Sequence, residues 1–179
     1  MSRVLDGVEF LVRQAVREIL DSYGIEKSQV DATPLRSSRI CLGSVGFASH
    51  ELRGSILCVG PRETWKALYI RGFDDPTMAA EPSEEALCDT AGEFTGMVVG
   101  NFKRALEAYG HSIALTTPLA VGGLVVRYPE PVGSVSRLIA YDTALGLLHA
   151  RLDASIEEGF ELPARPQNEH GASGNLMLL

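Results

Sequence analysis

The chain has 179 residues, 45% of them hydrophobic and 22% charged, and a formal net charge of −7. Those proportions fit one soluble globular domain, large enough to bury a real core. The acidic balance argues against nucleic acid as the main partner, because neutralising phosphates needs a basic surface. No apolar run approaches the ~18 residues of a membrane span, so no membrane partner is expected.

The N-terminus, MSRVLDGVEFLVRQ, interrupts its apolar residues with Arg3, Asp6 and Glu9, which is not the pattern of a signal peptide. Residues 4–23 read as an amphipathic helix with Val8, Leu11, Ala15, Ile19 and Tyr23 on one side, and Gly24 is a natural stop. Residues 25–38 are polar and read as a connection or an irregular edge. Two β-rich runs, 39–47 and 54–60, flank a short polar segment and predict a hairpin. Gly43 and Gly46 within it suggest a bulge or the close approach of a helix. Pro61 suits the first position of a helix that continues through Trp65 and Leu68 to about Arg71. Residues 73–82 read as a loop.

The stretch from Glu84 to Tyr109 predicts one long helix. Leu87, Ala91, Phe94, Val98, Phe102 and Ala105 recur at steps of three and four and define a buried face. Ser83 is placed to cap it, and Glu84 and Glu85 sit where carboxylates suit the helix dipole. Gly92, Gly96 and Gly100 lie inside it, and each costs about 1 kcal/mol of helix propensity against alanine. Asp89, Glu93, Gly96 and Gly100 fall on one stripe away from the apolar face. Two readings of that stripe stand side by side. Bare positions let another backbone pack closely. Alternatively, the stripe is a docking face, with Asp89 and Glu93 meeting a partner's cation; charged pairs of this kind are also ordinary on a solvated helix surface.

After the long helix, residues 111–123 predict a strand broken by Pro118 and by Gly122-Gly123. A short strand and a proline turn are expected over 123–131, and a second hairpin over 135–152, in which His149 is expected at a surface or edge. From Pro163 the chain has no apolar period, and 163–179 is expected to be a flexible tail behind a single domain of residues 1–162. The order of elements predicts an α+β fold, helices packed on an antiparallel sheet. Three cysteines, Cys41, Cys58 and Cys88, are widely spaced and fit reduced thiols in a cytoplasm. The four histidines are scattered, so no metal cluster is indicated. No phosphate-binding loop, zinc-protease motif or nucleophile elbow is present.

The central helix resembles that of the chemotaxis phosphatase family that includes CheX, CheC and FliY. Asp89, Glu93, position 96 and Pro118 repeat the spacing of that family's motif, and GEFTGMVVGNFKRAL, with its Gly100-Asn101 pair, is similar to the CheX version. The resemblance covers roughly Val4 to Asp153. It implies a cytoplasmic domain whose partner is a CheY-like receiver phosphorylated on an aspartate. It also implies a homodimer paired through strands. Magnesium would be held by the receiver, and this chain would carry no cofactor or metal of its own. The resemblance makes Glu93 the docking carboxylate, Asp89 the start of the motif and Pro118 its end. The family's water-orienting asparagine falls on Gly96, which has no side chain to orient anything. A carboxamide both donates and accepts hydrogen bonds, and its loss predicts about 10²–10³ less rate enhancement. Asn101 stands about 140° around the helix from position 96. Three functions follow: a receiver-binding domain with weak or lost phosphatase activity, a phosphatase using another polar group such as Thr95, Asn101 or a tail residue, or a phosphate-independent structural or adaptor protein.

Overall fold

The computed structural model describes residues 2–31, 35, 39–72, 81–123 and 133–162. Three helices and seven strands follow in the order α1 (Ser2–Ser22), β1 (Lys27–Val30), β2 (Ile40–Ala48), β3 (Leu52–Pro61), α2 (Arg62–Arg71), α3 (Glu84–Ala108), β4 (Ala114–Leu115), β5 (Leu119–Gly123), β6 (Val135–Thr143) and β7 (Gly146–Ile156). The strands form one sheet in the order β1-β6-β7-β3-β2, and the outer edge of β2 carries both β4 and β5. Every pairing is antiparallel. The fold is therefore the α+β arrangement that the order of elements predicted.

Alternation along the strands sorts the sheet into two faces. Cys41, Val45 and Phe47 of β2, Leu52, Ile56 and Cys58 of β3, and Leu148, Ala150, Leu152 and Ala154 of β7 join the helices in the main core. Leu42, Leu57 and Ala140 are also buried, but they do not belong to that core. They occupy the intervening strand positions and so point to the other face. α1 is tied across the core by the Tyr141 hydroxyl, which donates to the Arg13 carbonyl at 3.1 Å. Trp65 of α2 is fully buried; its indole N–H donates to the Cys41 carbonyl at 2.8 Å, and its ring meets Phe94 edge-on at 5.7 Å.

Several expectations change. The stretch read as a connection contains β1, an edge strand whose residues Lys27, Ser28 and Gln29 offer little apolar signal. Pro61 is not the first helical residue: it closes β3 and caps α2. The strand expected over 111–123 is two short strands, both on β2. His149 is not at a surface or edge; it lies in the inner strand β7 with 4% exposure, between Ala140 and Val59. The strand expected over 123–131 lies almost wholly outside the described residues, as does the tail from Pro163.

Candidate functional site

The site is built on α3. Ser83 caps the helix by accepting from the Ala86 N–H at 3.1 Å, and Gly110, at φ +88°, follows its end. Around its start, Glu84 accepts from Arg62 Nε at 2.8 Å and Arg39 Nη1 at 3.1 Å, and Lys66 pairs with Glu81 at 2.6 Å. Hydrogen bonding from Arg62 holds the Glu84 carboxyl below its ordinary range, and that from Lys66 does the same for Glu81. These pairs join the entry of α3 to α2 and to the strand below.

α3 buries more than the single apolar stripe. Leu87, Ala91, Phe94, Val98 and Phe102 are buried as expected, Ala105 is half-buried, and Gly92, Thr95, Val99 and Leu106 are buried as well. The reason is that α3 packs on β2, β5, α1 and α2 at once. Gly43 of β2 makes the seat. A Cβ at Gly43 would collide with the Ala91 carbonyl and the Thr95 hydroxyl, so the helix backbone rests directly on the bare strand.

Along the middle of α3 an exposed ridge runs beside a line of glycines. Asp89, Glu93 and Met97, one turn apart, are all exposed, Met97 by 37%. Gly92, Gly96 and Gly100 form the adjoining line, and each meets different surroundings. A Cβ at Gly92 would stand 3.3 Å from Ala120 Cβ, which makes that glycine a packing contact with β5. At Gly96 the nearest atom would be Pro118 Cγ at 3.6 Å, an ordinary van der Waals distance, and at Gly100 nothing lies within 4 Å.

Pro118 is held between two ties to β2, at Thr116 and at Leu119. The Thr116 N–H donates to the Gly46 carbonyl at 3.0 Å, and its hydroxyl accepts from the Gly46 N–H at 2.9 Å. Two positions 22 residues apart in sequence, 96 and 118, are thus brought into contact. Leu115 is 39% exposed and pairs with Phe47, whose ring packs on Phe102. It therefore shares the helix-bearing face, and with Met97 it adds exposed apolar surface that sequence reasoning had not assigned to the site. Met97 was detectable in principle, since it stands one turn beyond Glu93 on the Asp89–Glu93 line.

The polar groups nearest to position 96 in sequence are already engaged. The Thr95 side chain is fully buried toward the sheet and donates to the Ala91 carbonyl at 2.7 Å. The Asn101 amide donates to Glu18 of α1 at 3.1 Å, and its oxygen accepts from Arg104. Neither points into the space beside Gly96 and Pro118. No group of three or more potential metal ligands is found among the described residues, and no helix there is long and apolar enough to cross a membrane.

The fold is that of the CheX and CheC-like chemotaxis proteins. Over 83% of this chain and 96% of the other, it superimposes on the chemotaxis protein CheX from Vibrio vulnificus with a TM-score of 0.70 at 17% identity. A CheC-like protein from Shewanella oneidensis matches 81% of this chain and 95% of its own at a TM-score of 0.67 and 15% identity. CheX in the CheX–CheY–BeF3–Mg2+ complex from Borrelia burgdorferi matches 80% and 95% at a TM-score of 0.61 and 18% identity. No family model and no curated protein matches the sequence, so the likeness is one of fold.

Proposed function

We propose that the chain is a CheX-like signalling domain that docks on a phosphorylated CheY-like receiver through the ridge of Asp89, Glu93 and Met97, and that it hydrolyses the receiver's aspartyl phosphate weakly or not at all. The observation that carries this reading is the pairing of Gly96 with Pro118. Two exposed carboxylates lie one turn apart on α3, Pro118 stands beside position 96, and that position bears no side chain. The CheX–CheY complex among the similar structures supports a receiver as partner.

Removing a phosphoryl group from an aspartate is mostly a matter of positioning water and balancing charge. In this reading the receiver keeps its own Mg2+ and phosphoryl group, Glu93 pairs with a cation beside them, and no side chain reaches from position 96 to hold the attacking water. Apolar surface from Met97, Leu115 and Pro118 covers the rim. The domain then sequesters the receiver or reports its state. The motive for a homodimer is the outer edges of β1 and of β4 and β5, which pair with no further strand among the described residues and need cover. A cytoplasmic location follows from the same partner.

The test is to incubate the full chain with an aspartyl-phosphorylated receiver from the same genome and to follow binding and phosphate loss together. Binding that requires phosphorylation, with receiver decay within about twofold of its unassisted rate, is the expected result. Fast decay would overturn the loss of catalysis. Equal binding to both receiver states would favour a phosphate-independent adaptor, and sedimentation of the same sample reads the dimer.

A further inference from the structure

Cys41 and Cys88 are far apart in the chain and meet at the first turns of α3. Both sulfurs lie beside Gly122. A carbon built on Gly122 would stand 2.8 Å from Cys88 Sγ and 3.7 Å from Cys41 Sγ. The bare Gly122 therefore leaves both sulfurs facing one small space. The seat of α3 on Gly43 brings the helix backbone against β2, the strand that carries Cys41. Cys41 is buried and Cys88 is half-buried. Cys88 also lines a cleft of about 430 Å³, with Arg39, Glu84, Glu85, Gly122 and Gly123 as its other walls.

We propose that Cys41 and Cys88 form a thiol–disulfide exchange site, at which a low-molecular-weight disulfide enters the cleft and leaves a reversible bond between β2 and α3. The Cys88 thiolate attacks one sulfur of the reagent, forming a mixed disulfide and releasing one thiolate. Cys41 loses its proton to solvent and attacks the Cys88 sulfur, releasing the second thiolate. The two protein thiols are oxidised, the reagent is reduced to two thiols, and an added monothiol in excess runs the sequence backward. The order of attack follows from access, because the half-buried sulfur meets the reagent first. Burial pushes the Cys41 thiol up, so the closing step is slow near neutrality and quickens as pH rises. The remaining cysteine, Cys58, is fully buried beside Thr95, and its thiol is likewise pushed up to about 12. It has no place in the exchange.

The site lies one residue before Asp89, so the bond would tether the docking ridge to the sheet. Its chemistry is read without any receiver, which keeps its failure separate from failure of the docking proposal. The native full chain is incubated with oxidised glutathione over a pH series, quenched with acid, alkylated, and mapped by mass spectrometry. The expected result is loss of two alkylatable thiols out of three, a Cys41–Cys88 cross-linked peptide, an untouched Cys58, and full recovery with excess reduced glutathione. Cys41→Ser should stop at a glutathione adduct on Cys88, and Cys88→Ser should take up nothing. If Cys41→Ser does not fold, the wild-type time course gives the same answer, because the adduct on Cys88 precedes the cross-link. A stable adduct that never closes, a cross-link through Cys58, or a closing rate that ignores pH would overturn the proposal.

Discussion

Gly43 lies beneath α3 and Gly96 within it, on a different face from the one that Gly43 meets. At Gly43 a methyl group would strike the Ala91 carbonyl and the Thr95 hydroxyl, both fixed in the seat of α3 on β2. At Gly96 it would rest against Pro118 Cγ at 3.6 Å, with no other atom within 4 Å. The first glycine is required by packing. The second costs helix propensity and relieves no clash. An absent side chain is thus structural or vacant according to what stands over it, and the tool for telling them apart is to put a side chain back.

Gly96→Asn is the widest test of that contrast. Restoring an amide beside Pro118 should raise decay of a phosphorylated receiver by about 10²–10³ over wild type, with no comparable gain for Gly96→Ala. Equal decay in all three proteins would mean that the vacancy has no catalytic meaning. Gly43→Ala should do the opposite kind of damage and destabilise the fold by about 3 kcal/mol in chemical denaturation, since backbone rather than a flexible side chain must give way. A loss of a few tenths would show that the seat is loose. A step smaller, Glu93→Lys should weaken receiver binding about thirtyfold by calorimetry, roughly 2 kcal/mol. Glu107→Lys, exposed far along α3 beside Lys103, should change it little.

Smaller effects sharpen the same contrast between filled and open surroundings. Desolvation lowers the pKa of the buried His149, so its unfolded form, near 6.5, takes a proton that the folded form refuses. Its contribution to stability is complete above that value and falls as pH drops below it, by at most about 1.4 kcal/mol per pH unit. His149→Leu should flatten the acid side of the stability curve, and an unchanged slope would mean that the imidazole reaches water. Gly100→Ala should add up to about 1 kcal/mol in thermal unfolding, because the position is helical and nothing lies within 4 Å of the new methyl.

Much of this was legible in the residues because it is local. The Ser83 cap, the step of three and four along α3 and the alternation of both hairpins are each written within a few neighbours. β1 was not legible, because Lys27, Ser28 and Gln29 form a strand only when β6 lies beside them. His149 was misread for a related reason: alternation says which way a side chain points, not whether that face is covered. For the site, the spacing of Asp89, Glu93, position 96 and Pro118 pointed to a family motif, and the structure supplies the contact between 96 and 118. Thr95 and Asn101 needed coordinates, since only their hydrogen bonds show that they are spoken for. The meeting of Cys41 with Cys88 leaves no trace in local sequence at all.

Thr116 gives the site a form of insulation. The arm from β4 through β5 is laced to β2 at Ala114, Leu115, Thr116 and again from Leu119 to Gly123, leaving only Thr117 and Pro118 between the ties. The position of Pro118 relative to α3 is thus set by those ties and not by the chain farther along. The wall beside Gly96 therefore takes its place from the register of β2 on both sides of Pro118.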